Sequence, residues 1–137
     1  MMKRLIAYFT LILAIITINS SQSSATTTEL PECVVVTHCV KENIKVNDLE
    51  KAFKKATKIV SETARTKIIE QTSSYLHAEA KTKWRRYTDD LLLKAIPEKN
   101  IIQVRSESRV GIGDNGVNQK RIDDFAYRLI KEADLSS

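Results

Sequence analysis

The sequence predicts an α+β domain of two layers, an antiparallel sheet with two helices on one face, in the element order β-α-β-β-β-β-α. Three observations lead there. Two stretches, 48–61 and 117–133, repeat apolar residues at three- and four-residue steps, the period of a helix with one buried face. Between them lie four short segments of strand character, separated by turn residues at regular spacing. One of these, "SYLHAEAKT", alternates cleanly and puts only small or aliphatic side chains, Leu76, Ala78 and Ala80, on one side, which suits close packing of helices.

Taken in chain order, the first segment is a leader rather than part of the fold. Lys3 and Arg4 precede an apolar run of 14 residues, 5–18, and Ser23-Ser24-Ala25 follows as a small-x-small site. That is the layout of a secretory signal peptide over 1–25, and the run is short of the roughly 20 residues that span a bilayer as a helix. The expected location is the periplasm, with secretion, or anchoring to the inner membrane by an uncleaved leader, as the alternatives. Residues 26–32 then read as a polar linker and 33–134 as a single domain.

Within the domain, "CVVVTHCV" is β-branched and predicts a strand over 34–40. An exported protein is allowed disulfides, but an extended segment would hold the Cα atoms of Cys33 and Cys39 about 20 Å apart, and a bridge needs less than about 7 Å. The reading is therefore two unpaired cysteines, Cys39 buried, with His38 exposed on the opposite side. Asn47 or Asp48 caps a helix to about residue 61, whose inner face is Leu49, Ala52, Phe53, Ala56 and Val60. Strands follow at 66–71, 74–82, 88–96 and 100–108, the last two joined through "PEKN". Alternation sends Ile102, Val104 and Ser106 to one face, and Ile101, Gln103, Arg105 and Glu107 to the other. The outer face, which also takes Tyr75, His77, Glu79 and Lys81, is expected to be wet, as one face of an antiparallel sheet commonly is. The closing helix, from about Val117 to Ala133, presents Ile122, Phe125, Ala126, Leu129 and Ile130 inward.

Charge and size exclude several classes. The chain carries 22 basic and 17 acidic residues; without Lys3 and Arg4 the net charge falls from +5 to +3. That mild excess lacks the basic stripe of a nucleic-acid binder, so no nucleic-acid partner is expected. About 112 residues after the leader form one core, with no room for a large cofactor fold. No metal-ligand spacing and no cofactor motif is present.

All three glycines fall in one basic loop, "RSESRVGIGDNGVNQKR", residues 105–121. Its "GIGDNG" spells GxGxxG between a strand and a helix, but the dinucleotide fingerprint needs a second parallel strand with an acidic residue about 20 positions on. No such strand follows, and no GK[ST] completes a phosphate loop. What remains is a general anion site. Gly111 and Gly116 free the backbone, the amides opening the last helix are donors at its positive end, and Arg105, Arg109 and Arg121 supply charge. Ser106 and Ser108 add hydroxyls, Asp114 lies in the loop, and Asn118 is a cap or contact. The competing reading is an ion-paired loop that closes the sheet onto the helix and needs no ligand.

"SSYLHAEAKTKWRRYTDDLLL" followed by "IIQVRSESRVGIGDNGVNQKR" resembles the bacterial and plant family called domain of unknown function 1499. The matching positions are Tyr75 to Glu79, Asp89, Asp90, Arg105, Ser106, Ser108 to Gly111, Asp114, Gly116 to Asn118, Lys120 and Arg121, over roughly residues 31–134. The chain departs from the family where Cys33-Val34-Val35-Val36 replaces a cysteine-valine-serine-serine start. It departs again at Gly113, where members usually carry a larger or hydroxylated residue, so the GxGxxG spelling is particular to this sequence. The resemblance implies an exported bacterial member and brings no established activity.

The sequence thus favours a non-enzymatic binding module for a small anionic or polar ligand, or a lipid headgroup, held at Arg105, Ser106, Ser108, Arg109, Gly111, Asp114, Gly116, Asn118 and Arg121. One alternative is a domain that docks an envelope protein or a membrane surface through Trp84 and Tyr87 of "KWRRY". A second is a small hydrolase in which Glu79 orients His77 as base. No nucleophile is placed beside that pair, and no catalytic residue is assigned.

Overall fold

The computed structural model of the chain describes residues 29–134, with side chains through Lys131. The signal peptide expected over 1–25 lies outside the described residues. Among the described residues the elements are β1 (Cys39–Lys45), α1 (Leu49–Ser61), β2 (Thr66–Gln71), β3 (Tyr75–Lys81), β4 (Thr88–Ile96), β5 (Ile101–Ser108) and α2 (Val117–Asp134), with a 3-10 turn at Pro97–Lys99. The α+β class and the order β-α-β-β-β-β-α are as the sequence predicts. The five strands form one antiparallel sheet in the order β1-β5-β4-β3-β2, so the first strand closes beside the last.

Both helices lie on one face. Phe53, Ala56, Ile59 and Val60 of α1 and Ile122, Phe125 and Leu129 of α2 meet Leu76, Ala78, Leu91, Leu93, Ile102 and Val104 of the sheet. Each fully buried aliphatic side chain in such a core contributes about 1.5–3 kcal/mol. Asp48 caps α1, its carboxylate accepting from the Lys51 amide at 3.0 Å. Asn100 takes the left-handed conformation (φ 52°) that ends the 3-10 turn, and its side chain amide donates to the Val46 carbonyl at 2.8 Å. Ile130, expected inward, is exposed; the buried stripe of α2 runs through Ile122, Phe125 and Leu129 instead.

The start of the domain differs most from expectation. Residues 34–38 form no strand; they make a turn in which the His38 amide donates to the Val35 carbonyl, and Cys33 and Cys39 are joined by a disulfide with Cα atoms 5.5 Å apart. The physical reason is partner supply. Pairing with β5 begins at Cys39 opposite Glu107, and β5 itself ends at Ser108, so valines 34–36 have no strand to pair with. β-propensity without a neighbouring strand fixes nothing. His38 is half-buried rather than exposed, its Nδ1 without a donor or acceptor among the described residues.

The outer sheet face is not simply wet. The described part of the expected linker, residues 29–32, crosses it as a strap. Leu30 is buried, its amide donates to Gln103 Oε1 at 2.9 Å, and its carbonyl accepts from Lys41 Nζ at 2.8 Å. Glu29 accepts from Gln103 Nε2 at 3.0 Å and pairs with Lys99. Gln103 is buried beneath this covering, and Ile101 and Arg105 of the same strand face are buried as well. Toward β3 the face stays accessible, at Tyr75, His77, Glu79 and Asp90.

Candidate functional site

Strand alternation splits the residues expected to bind together. Ser106 and Ser108 sit opposite Leu91 and Asp89 and face the helices, whereas Arg105 and Glu107 sit opposite Leu92 and Asp90 and face outward. Arg105 is buried and pairs with Glu107 at 2.8 Å. Arg109 also turns outward, its Nη2 at 2.6 Å from Glu79 and 2.7 Å from Asp90 Oδ1, its Nε at 2.9 Å from Asp90 Oδ2. These hydrogen bonds raise the guanidinium pKa further above its already high value. Arg105 and Arg109 are therefore removed from the glycine loop and satisfied by carboxylates.

The same outer cluster revises the hydrolase arrangement. His77 Nε2 lies 2.6 Å from Asp90 Oδ1, while Glu79 is engaged by Arg109, so the carboxylate that orients His77 is Asp90 and not Glu79. Asp90 is held below the usual carboxylate range, first by the Arg109 hydrogen bonds, against partial burial, and then by His77. Because its folded value is depressed, its contribution to stability is complete above the unfolded carboxylate value of about 4 and disappears as pH falls through the folded value. Urea midpoints should decline on acidification from about pH 6 to about pH 3, and Asp90→Asn should flatten that decline. An unchanged slope would assign the acid sensitivity to Asp114 and Glu29, whose carboxyls are also depressed.

Under the glycine loop lies a second, buried network. Asn118 and Asp89 are wholly inaccessible. Asn118 Oδ1 accepts from Ser106 Oγ at 2.6 Å and from Arg121 Nη1 at 2.7 Å; its Nδ2 donates to the His38 carbonyl and to Ser108 Oγ, both at 2.9 Å. Arg121 Nη2 reaches Asp89 Oδ2 at 2.7 Å. The helix terminus expected to attract an external anion holds an internal one. Asp114 accepts from the amides of Gly116 (2.9 Å) and Asn118 (2.8 Å). Burial raises its pKa, but these bonds, with those from the Asn118 side chain and its own amide, together hold it below the usual carboxylate value. Gly111 (φ 93°) and Gly116 (φ 76°) occupy left-handed backbone, so the glycines there serve the turn itself.

An open cleft of about 710 Å³ lies above this network. One wall is the hairpin tip between β3 and β4, with Lys83, Trp84, Arg85 and Tyr87; the other is the glycine loop from Val110 to Asn115. Arg65 and Lys81 stand at one end, and Asp89, Ser108 and Arg121 form the floor. The Oδ1 atom of Asp89 has no hydrogen-bond donor among the described residues. A buried carboxylate oxygen without a donor is costly, about 1–3 kcal/mol or more. Of the residues expected from sequence, Ser108, Gly111, Asp114 and Arg121 line this cleft. Arg65 and Lys81 are not expected there from sequence, and Asp89 is expected only as a position that matches the family. Asp89 was legible in principle, since alternation places it on the side of Leu91 and Leu93, where a carboxylate demands a cationic partner.

Among the described residues no three His, Cys, Asp or Glu side chains gather where they could hold a metal ion. No helix among them is long and apolar enough to cross a membrane.

The molecule is thus a small α+β domain with a disulfide-closed entry turn and a basic cleft built between two loops at one end of its sheet. The sequence profile of a family described as protein of unknown function (DUF1499) matches residues 18–129, and the chain belongs to that family. No curated protein matches the chain.

Proposed function

We propose that this is an exported, non-enzymatic binding module whose cleft takes a small polar anion bearing hydroxyl donors, of the phosphate-ester kind found on a phosphorylated polyol or a lipid headgroup. The carrying observation is the composition of the cleft: Arg65, Lys81, Lys83 and Arg85 line it above Asp89 Oδ1, a buried acceptor that has no protein donor among the described residues. Cations at the rim attract the anion, and a hydroxyl of the same molecule donates to Asp89 Oδ1 once the side chains that cover this inaccessible atom shift to open it to the cleft. Among the described residues none of these four cations is ion-paired to a carboxylate, in contrast to Arg105, Arg109 and Arg121. The site proposed from sequence therefore moves from the helix terminus, which Asp114 occupies, to the cleft in front of it.

Native mass spectrometry of the protein purified gently from cells that make it tests for a retained molecule. Titration with glycerol 3-phosphate and with inorganic phosphate, followed calorimetrically, tests the chemistry. Glycerol 3-phosphate is expected to bind more tightly than phosphate, and Arg65→Ala with Lys81→Ala to weaken it by about tenfold or more. Absence of both a retained species and binding at millimolar concentrations would leave the cleft a structural gap.

A further inference from the structure

The loops at this end of the sheet share a property beyond the charge of the cleft, exposed apolar tips, of which Trp84, Tyr87, Val110 and Ile112 also line its walls. Register brings them together: Cys39 lies opposite Glu107, Asp89 opposite Ser108, and Thr88 opposite Lys81. The entry turn, the glycine loop and the β3–β4 hairpin tip therefore project from one end. Seven of the eleven exposed large apolar residues among those described lie in these three loops. Val34 is 90% exposed, Val36 77%, Trp84 87% and Ile112 92%, at the tips of their loops; Val35, Tyr87 and Val110 accompany them. The turn and the glycine loop are one unit, since Thr37 Oγ1 donates to the Ile112 carbonyl and the Asp114 amide to the Thr37 carbonyl. The disulfide closes the base of the valine turn and holds its tip outward.

Charge surrounds these tips asymmetrically. The hairpin segment 81–87 holds Lys81, Lys83, Arg85 and Arg86 and no carboxylate. Asp114, the acidic residue of the glycine loop, is turned inward to cap α2. We infer that this end of the domain docks on an anionic phospholipid surface, with Val34, Val36, Ile112 and Trp84 entering the headgroup–acyl boundary and the hairpin cations contacting lipid phosphates. Trp and Tyr favour that boundary, and clustered Lys and Arg add attraction to anionic lipid. A fluid bilayer also fits the shape. The apolar groups stand on separate tips with a cleft between them, an outline that lipid fills without the matched contour a rigid protein partner would need.

The docking does not depend on the cleft holding a ligand, and the test keeps the two apart. Trp84 is the only tryptophan in the chain, so its fluorescence reports this end alone. The full-length protein is mixed with vesicles of phosphatidylcholine alone, or with phosphatidylglycerol added, with and without bromine-labelled acyl chains. On the anionic vesicles Trp84 emission should move to the blue and be quenched by bromine, and both effects should weaken as salt rises. Val34→Asp with Val36→Asp, both fully on the exposed turn, should lower vesicle affinity read by Trp84 at least about tenfold. Lys83→Glu with Arg85→Glu should remove the preference for phosphatidylglycerol. Glycerol 3-phosphate binding should survive the valine substitutions unchanged. Vesicle co-sedimentation with Trp84 emission unshifted and unquenched would overturn the inference, as would quenching equal in the valine variant; a protein partner captured by Trp84 in place of lipid would do the same.

Discussion

Asp89→Ala is expected to destabilise the fold by about 3–5 kcal/mol, because it strips the partner from a largely buried guanidinium. Arg121 lies against Asp89 at 2.7 Å, with side-chain exposures of 15% and 0% respectively. Its other donor goes to Ser106 and Asn118, which tie β5 and α2 to the entry turn through the His38 carbonyl. The loss should therefore spread over β4, β5 and the start of α2. Urea unfolding at neutral pH measures it directly. Replacing both partners, as Asp89→Leu with Arg121→Met, should recover much of the stability, since an apolar pair leaves no uncompensated charge. A cost below about 1 kcal/mol for the single variant would mean that water already solvates Arg121 from the cleft.

Reduction of the Cys33–Cys39 bond is expected to cost about 2 kcal/mol, the chain-entropy value for closing a loop with a sequence separation of 6. Cys33→Ser with Cys39→Ser should reproduce it, read as a shift in urea midpoint at unchanged slope. Leu30 and the strap lie just before the bond, so hydrogen exchange at Leu30, whose amide donates to Gln103, should quicken on reduction while the core amides of β4 stay protected. Equal stability of the oxidised and reduced protein would show that the Thr37 contacts with the glycine loop suffice to hold the turn.

Several features were legible in the residues. The helical spacing of Phe53, Ala56 and Val60, and of Ile122, Phe125 and Leu129, names the faces that are buried. Alternation in "YLHAEAK" and "IIQVRSES" assigns each side chain to its side of the sheet, because a strand has only two faces. The same rule already separates Asp89 from Asp90, and Ser106 from Arg105. What it leaves open is which opposite charge each will meet. Arg109 could reach the glycine loop or the outer face from its place past β5; the choice of Asp90 and Glu79 depends on β3 and β4 lying beside it.

By itself, the sequence determined the element order, the two-layer class, the helix-facing residues and the family, all of which follow from local periodicity or from ordered motifs along the chain. Tertiary structure alone decided the disulfide, the strap and the cleft. Each depends on a partner remote in sequence: β5 ends too early to pair with the valines, Gln103 receives Leu30, and the hairpin tip stands across from the glycine loop. Periodicity describes what a segment can present, whereas a turn, a covering or a cavity is set by what lies opposite.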